Sequence, residues 1–143
     1  MRWRGSWKSS PGRAHRLAVD CRGDRGHAVL MDRRVALTRA SVQRLLRTLR
    51  TSLDEMYGDD LVAIRLFGSY ARRQATPDSD VDILLVLREV DDYGTEVRRV
   101  SDLFSRLSME CGKTIAPVFV DAARFASGSD PFMAAVASEA LPA

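Results

Sequence analysis

Two apolar runs of strand length, one ending at a tight turn and the next opening on a pair of carboxylates, constrain this sequence more than any other feature. Leu61-Val62-Ala63-Ile64-Arg65-Leu66-Phe67 stops abruptly at Gly68-Ser69, and Asp80-Val81-Asp82-Ile83-Leu84-Leu85-Val86-Leu87 begins with acid. Side chains alternate along a strand, so Asp80 and Asp82 fall on one face at its start. Between the runs, Thr76-Pro77-Asp78-Ser79 has the composition of a turn. The predicted order is strand, Gly-Ser turn, loop, strand.

Each end of this unit suggests chemistry. Two neighbouring carboxylates repel unless a cation neutralises them, and Mg²⁺ accepts one or two carboxylates together with water and phosphate oxygens. Glycine lets the backbone turn and a ligand approach closely. Ser69 can cap a helical turn running through Arg73, and N–H groups exposed there attract phosphate. Taken singly, a Gly-Ser is most often an ordinary turn and an Asp-x-Asp a solvated strand start. Together, each at a strand edge, they point to a nucleotide and metal site.

The flanking segments predict helices that cover a sheet. Thr38 is a plausible N-cap for an amphipathic helix on which Val42, Leu45, Leu46, Leu49, Leu53 and Met56 recur every three or four residues, with Arg44, Arg47 and Arg50 on the other face. Gly58-Asp59-Asp60 ends it. A second helix spans roughly Tyr93 to Cys111, with Val97, Val100, Leu103, Phe104 and Leu107 as its stripe and Gly112 as its stop. A third strand follows near Ile115 to Val120, and a last helix runs from Asp130-Pro131 to Glu139. A helix between the second and third strands implies a crossover connection. The expected fold class is α/β, a small mixed sheet of three to four strands with helices mainly on one face.

Charge divides the chain. The net +3 combines nine Lys/Arg against three Asp in residues 1–34, or +6, with thirteen against sixteen acidic residues in 35–143, or −3. We therefore expect a basic, disordered N-terminal extension over 1–34 and one folded domain over 35–143. Trp3 and Trp7 among the arginines could stack on nucleic-acid bases, although a solvated tail, or translation starting at Met31, accounts for the same composition. His15 and His27 have no partner at ligand spacing, and Cys21 and Cys111 form neither a disulfide framework nor a metal motif, so both read as plain thiols. No apolar stretch is long enough to span a bilayer or to serve as a secretory signal, which predicts a cytoplasmic protein with no membrane partner.

The pattern Gly68-Ser69-Tyr70-Ala71-Arg72-Arg73 followed by Ser79-Asp80-Val81-Asp82 resembles the nucleotidyltransferase superfamily that includes DNA polymerase beta, and within it the minimal nucleotidyltransferases. The resemblance covers roughly Thr38 to Leu141. It implies that Gly68 and Ser69 hold the β- and γ-phosphates of ATP or another nucleoside triphosphate, with Ser79 and Arg72 as further nucleotide contacts. Arg72 could instead pair with Asp78. Asp80 and Asp82 would be catalytic and bind Mg²⁺, as two ions roughly 3.5 to 4 Å apart.

This chain departs from the family pattern at two places. Arg73 stands where a glycine is usual, which requires the backbone there to avoid a left-handed conformation or adds a positive charge near the phosphates. Active members also carry a third carboxylate on the next strand, and Thr114 to Val120 has none. Asp121 is the nearest candidate and Glu110 a weaker one.

The resemblance further implies transfer of AMP from ATP to a hydroxyl, plausibly a tyrosine of a small helical HEPN-type partner, with this chain as the antitoxin of a toxin-antitoxin pair. Polymerases and other large relatives carry extra domains to position an acceptor, for which this chain has no room. A binding module that neutralises a partner by docking, with weak or no catalysis, is the alternative that the missing carboxylate motivates.

Overall fold

The computed structural model describes residues 35–143. The expectations for the basic stretch 1–34, including its disorder, nucleic-acid contacts, His15, His27, Cys21 and the start at Met31, lie outside the described residues.

Helix α1 spans Arg39–Tyr57, and Thr38 caps it by accepting the Ser41 N–H on Oγ1 at 3.1 Å. Its apolar stripe is buried from Val42 through Leu53 to Tyr57. Gly58, at φ 55°, stops the helix, and a 3-10 turn over Gly58–Asp60 leads into strand β1, Leu61–Phe67. A single helical turn, α2, occupies Gly68–Ala71, and strand β2 follows at Val81–Leu87. Helix α3, Tyr93–Cys111, begins with Asp92 accepting the Gly94 N–H and ends at left-handed Gly112. Strand β3 is Ile115–Asp121, helix α4 Ala122–Ser127, helix α5 Pro131–Glu139 and strand β4 Leu141–Pro142.

The four strands lie in the order β3-β2-β1-β4. Helix α3 crosses over between parallel β2 and β3, as its position in the sequence requires, while β1 runs antiparallel to both β2 and β4. The mixed sheet separates two cores. On one face Val81, Ile83, Leu85 and Leu87 of β2 pack against the stripes of α1 and α3. On the other, Leu84 and Val86 meet Val120, Met133 and Val136, so α5 covers the side away from the two long helices. The long helices thus share one face, as expected, and the opposite face is covered by the short C-terminal helix, while β4 extends the sheet beside β1.

Every residue of β2 from Ile83 to Leu87 is buried, which is why the run reads as continuously apolar: a strand covered on both faces has no polar side. Asp82 breaks that pattern at the uncovered end. Among the described residues no helix is long and apolar enough to cross a membrane. Cys111, expected as a plain thiol on a helix face, is not free.

Candidate active site

The antiparallel register of β1 and β2 places the Gly-Ser turn beside the acid pair. Phe67 pairs with Asp82, so the residue following β1 arrives next to the carboxylate that opens β2. Gly68 has φ 75°, and a methyl group added there would overlap Oδ2 of Asp82 and lie 3.3 Å from its Cγ. Only a residue without a Cβ allows that approach. The turn and the carboxylate are therefore in direct contact. Ser69 lies within α2 and is not its cap, since Phe67 occupies that position; the expected capping role is corrected. The Ser69 carbonyl instead accepts the Gln74 N–H at 2.8 Å, closing the turn.

Asp82 is half-buried, whereas Asp80 is exposed. Desolvation holds the Asp82 carboxyl above the usual carboxylate range, and the negative charge of Asp80 adds to the effect, while Arg72 pulls the other way. A half-buried carboxylate beside a second negative charge favours a nearby cation. Among the described residues no three acidic, His or Cys side chains form a metal cluster, so a cation held here would have two carboxylates at most. Such a donor set suits a hard divalent ion whose remaining ligands are water and phosphate oxygens.

Arg72 pairs with Glu139 and Gln74, not with Asp78. Its Nη1 donates to Oε2 of Glu139 at 2.9 Å and its Nε to Gln74 Oε1 at 3.3 Å. The guanidinium nevertheless remains near enough to influence Asp82. Ser79 serves the loop: its Oγ accepts the Thr76 N–H at 2.8 Å, and its own N–H donates to the Thr76 carbonyl at 3.0 Å. Buried Lys113 donates through Nζ to the Pro77 carbonyl, and the Val81 N–H donates to the Thr114 carbonyl at 2.9 Å. The segment carrying Asp80 is thus tied at both ends. A cavity of about 340 Å³ lies between this segment and the Gly112–Thr114 turn.

Neither candidate third carboxylate reaches the acid pair. Asp121 pairs in register with Leu87, at the far end of β2 from Asp82, about 16 Å along the strand. It also points to the other face by alternation, and its Oδ1 caps α4 by accepting the Arg124 N–H at 2.7 Å. The expectation for Asp121 is corrected. Glu110 lies on α3, which covers the opposite face of the sheet, and pairs with Arg106 at 3.5 Å. The residue in register with Asp82 on β3 is Ala116.

Arg73 adopts φ 58°, so the expectation that its backbone avoids the left-handed region is also corrected. The chain must reverse after one helical turn, and the Arg73 N–H donates back to the Tyr70 carbonyl at 3.3 Å. Sequence reading missed Glu139 and Lys113. An acid near the end of a helix and a lone lysine carry no local signal of what they will meet.

Residues 46–114, which contain the turn, the loop and both carboxylates, match the family model described as nucleotidyltransferase domain. Over that stretch, just under half of the chain, the sequence is similar to the nucleotidyltransferase family. It is similar to three proteins of Methanocaldococcus jannaschii provisionally named protein adenylyltransferases. Identity is 35% to MJ1305 over 47% of this chain and 46% of the relative, and 28% to MJ0141 over 52% and 74%. It is 39% to MJ0128 over 39% and 55%. The matched stretch thus spans about half the length of the first and third. Two solved structures are remote likenesses at 21% identity. A toxin-antitoxin with AMP-PNP covers 66% of this chain and 69% of its own with a TM-score of 0.46. A mutant toxin-antitoxin MntA-HpeT covers 74% and 71% with a TM-score of 0.43.

Proposed function

We propose that this protein transfers AMP from ATP to a hydroxyl of a partner protein, with Asp80 and Asp82 at the centre of the reaction. The observation that carries the reading is the contact between bare Gly68 and Asp82, which puts a turn that can admit phosphate against the carboxylates. The match of residues 46–114 to the nucleotidyltransferase domain supports the reaction class. The provisional names of the relatives support a protein acceptor.

In this reading the Gly68-Ser69 turn binds the β- and γ-phosphates and fixes the direction in which pyrophosphate departs. Asp80 and Asp82 would hold Mg²⁺, which when bound neutralises the pair and the charge on the phosphate oxygens. The acceptor oxygen forms a bond to the α-phosphorus as the bond from that atom to the bridging oxygen of the β-phosphate breaks. Pyrophosphate leaves, and the hydroxyl proton passes to water, because Ala116 offers no base where a third acid would stand. Arg72 steadies the phosphate charge.

The acceptor we favour is a tyrosine of a small helical HEPN-type toxin, for which this chain is the antitoxin. A specific observation favours a second reading: with Ala116 beside Asp82, neutralisation could rest on docking, with slow turnover. Incubation of the purified chain with α-labelled ATP, Mg²⁺ and the protein encoded beside it separates the two. Label on the neighbour that disappears with Asp80→Asn plus Asp82→Asn is the expected result. Label that survives both substitutions removes these residues from the reaction, and neutralisation without label selects docking.

A further inference from the structure

The C-terminal segment, we propose, is part of the nucleotide site: Glu139 is a positioning residue that holds Arg72 at the edge of the acid pair, aimed at the phosphates. This rests on the nucleotide-binding reading above and extends it to a residue 25 positions beyond the stretch that matches the family model.

The ion pair joins residues 67 apart in sequence. Arg72 immediately follows α2, and its N–H donates to the Gly68 carbonyl at 3.1 Å, so its backbone is fixed by the same turn that touches Asp82. Its side chain is held from outside the site. Nη1 is taken by Glu139 and Nε by Gln74. Among the described residues Nη2 has no hydrogen-bonding partner, which leaves it for a phosphate oxygen. The effect of Arg72 on Asp82 agrees with this placement.

Glu139 is anchored independently of the pair. Helix α5 starts with Asp130 accepting the Phe132 N–H at 2.8 Å and buries Met133 and Val136 against the sheet. Phe132 stacks edge-on against Phe67, the residue before Gly68, with ring centroids 5.9 Å apart. Beyond the helix, Leu141 and Pro142 pair with Leu66 and Arg65, and the Ala143 N–H donates to the Ile64 carbonyl. A rigid element therefore presents the carboxylate. Such a half-exposed ion pair adds little to folding. Its consequence is directional: a long, flexible side chain is placed in its binding orientation before the ligand arrives, which lowers the entropy lost on binding.

Charge alone predicts the opposite outcome on mutation. Glu139 is an anion near a site for polyanions, so removing its charge should tighten nucleotide binding if only long-range attraction mattered. A positioning role predicts weaker binding. The test is calorimetric titration of MgATP into the full chain, into Arg72→Ala, into Glu139→Gln and into the double variant. The expected result is a loss of about tenfold for Arg72→Ala and about threefold to fivefold for Glu139→Gln, with no further loss in the double variant.

Glu139→Gln binding as tightly as, or more tightly than, the unaltered chain overturns the proposal while leaving the nucleotide site standing. An equal loss in both Arg72 backgrounds, as general destabilisation of α5 would produce, overturns it too. Failure of the unaltered chain to bind MgATP, or equal binding by Asp80→Asn plus Asp82→Asn, overturns the underlying functional reading and this inference with it.

Discussion

At Gly68 and Asp82, backbone and chemistry meet within one contact. Gly68→Ala introduces a Cβ at φ 75° and drives it into Asp82 Oδ2. The strain is on the order of 1 to 3 kcal/mol, and Asp82 must move. We expect a fall of that size in urea unfolding and at least about a tenfold loss of MgATP affinity by titration. Asp82 itself costs stability in the free chain. Its folded pKa is raised above the ordinary 3.8, so the folded state holds the proton more tightly than the unfolded state. Stability is lost as pH rises from near 3.8 through the raised value. Asp82→Asn should therefore unfold at a higher temperature than the parent at pH 7, with the gain vanishing below about pH 3.8; a gain that persists in acid contradicts the assignment. The strand that Asp82 enters was legible in the sequence because alternation along a strand is a local rule, whereas Asp80 lies just before the strand begins at Val81. The left-handed Arg73 was not legible, since its conformation is imposed by the closure of the turn onto Tyr70 and Ser69, which composition does not reveal.

Strand β3 shows what elements decide. Its existence and span were readable from Ile115 to Val120, but its register against β2 was not, because periodicity says which residues share a face and nothing about which rows they join. Register removes Asp121 from the site and places Ala116 beside Asp82. Ala116→Asp should then supply the third carboxylate, raising the rate of Mg²⁺-dependent label transfer by about tenfold or more. An unchanged rate, with the variant folded by circular dichroism, would show that this row does not face the acceptor. Helix α5 was likewise announced by Asp130-Pro131, which cap and start it. The face it covers depends on Met133 and Val136 meeting Leu84 and Val86, a contact between distant segments. Glu139 therefore gave no sign of its place beside Arg72.

Across the molecule the sheet separates stability from chemistry. One face, buried under α1 and α3, holds the larger core; the other carries the acid pair at its open end and the C-terminal helix beside it. The turn after β1, the start of β2 and the start of β3 all lie at the same end of the strands, so a nucleotide there would contact three elements that only the completed fold brings together. The central claim is that the bond broken is at the α-phosphorus. Parallel incubations of the chain with α-labelled or γ-labelled ATP, Mg²⁺ and the neighbouring protein test it most directly. The account predicts label on the acceptor from α-labelled ATP only, with labelled pyrophosphate released from γ-labelled ATP. Acceptor labelled by γ-labelled ATP would contradict it.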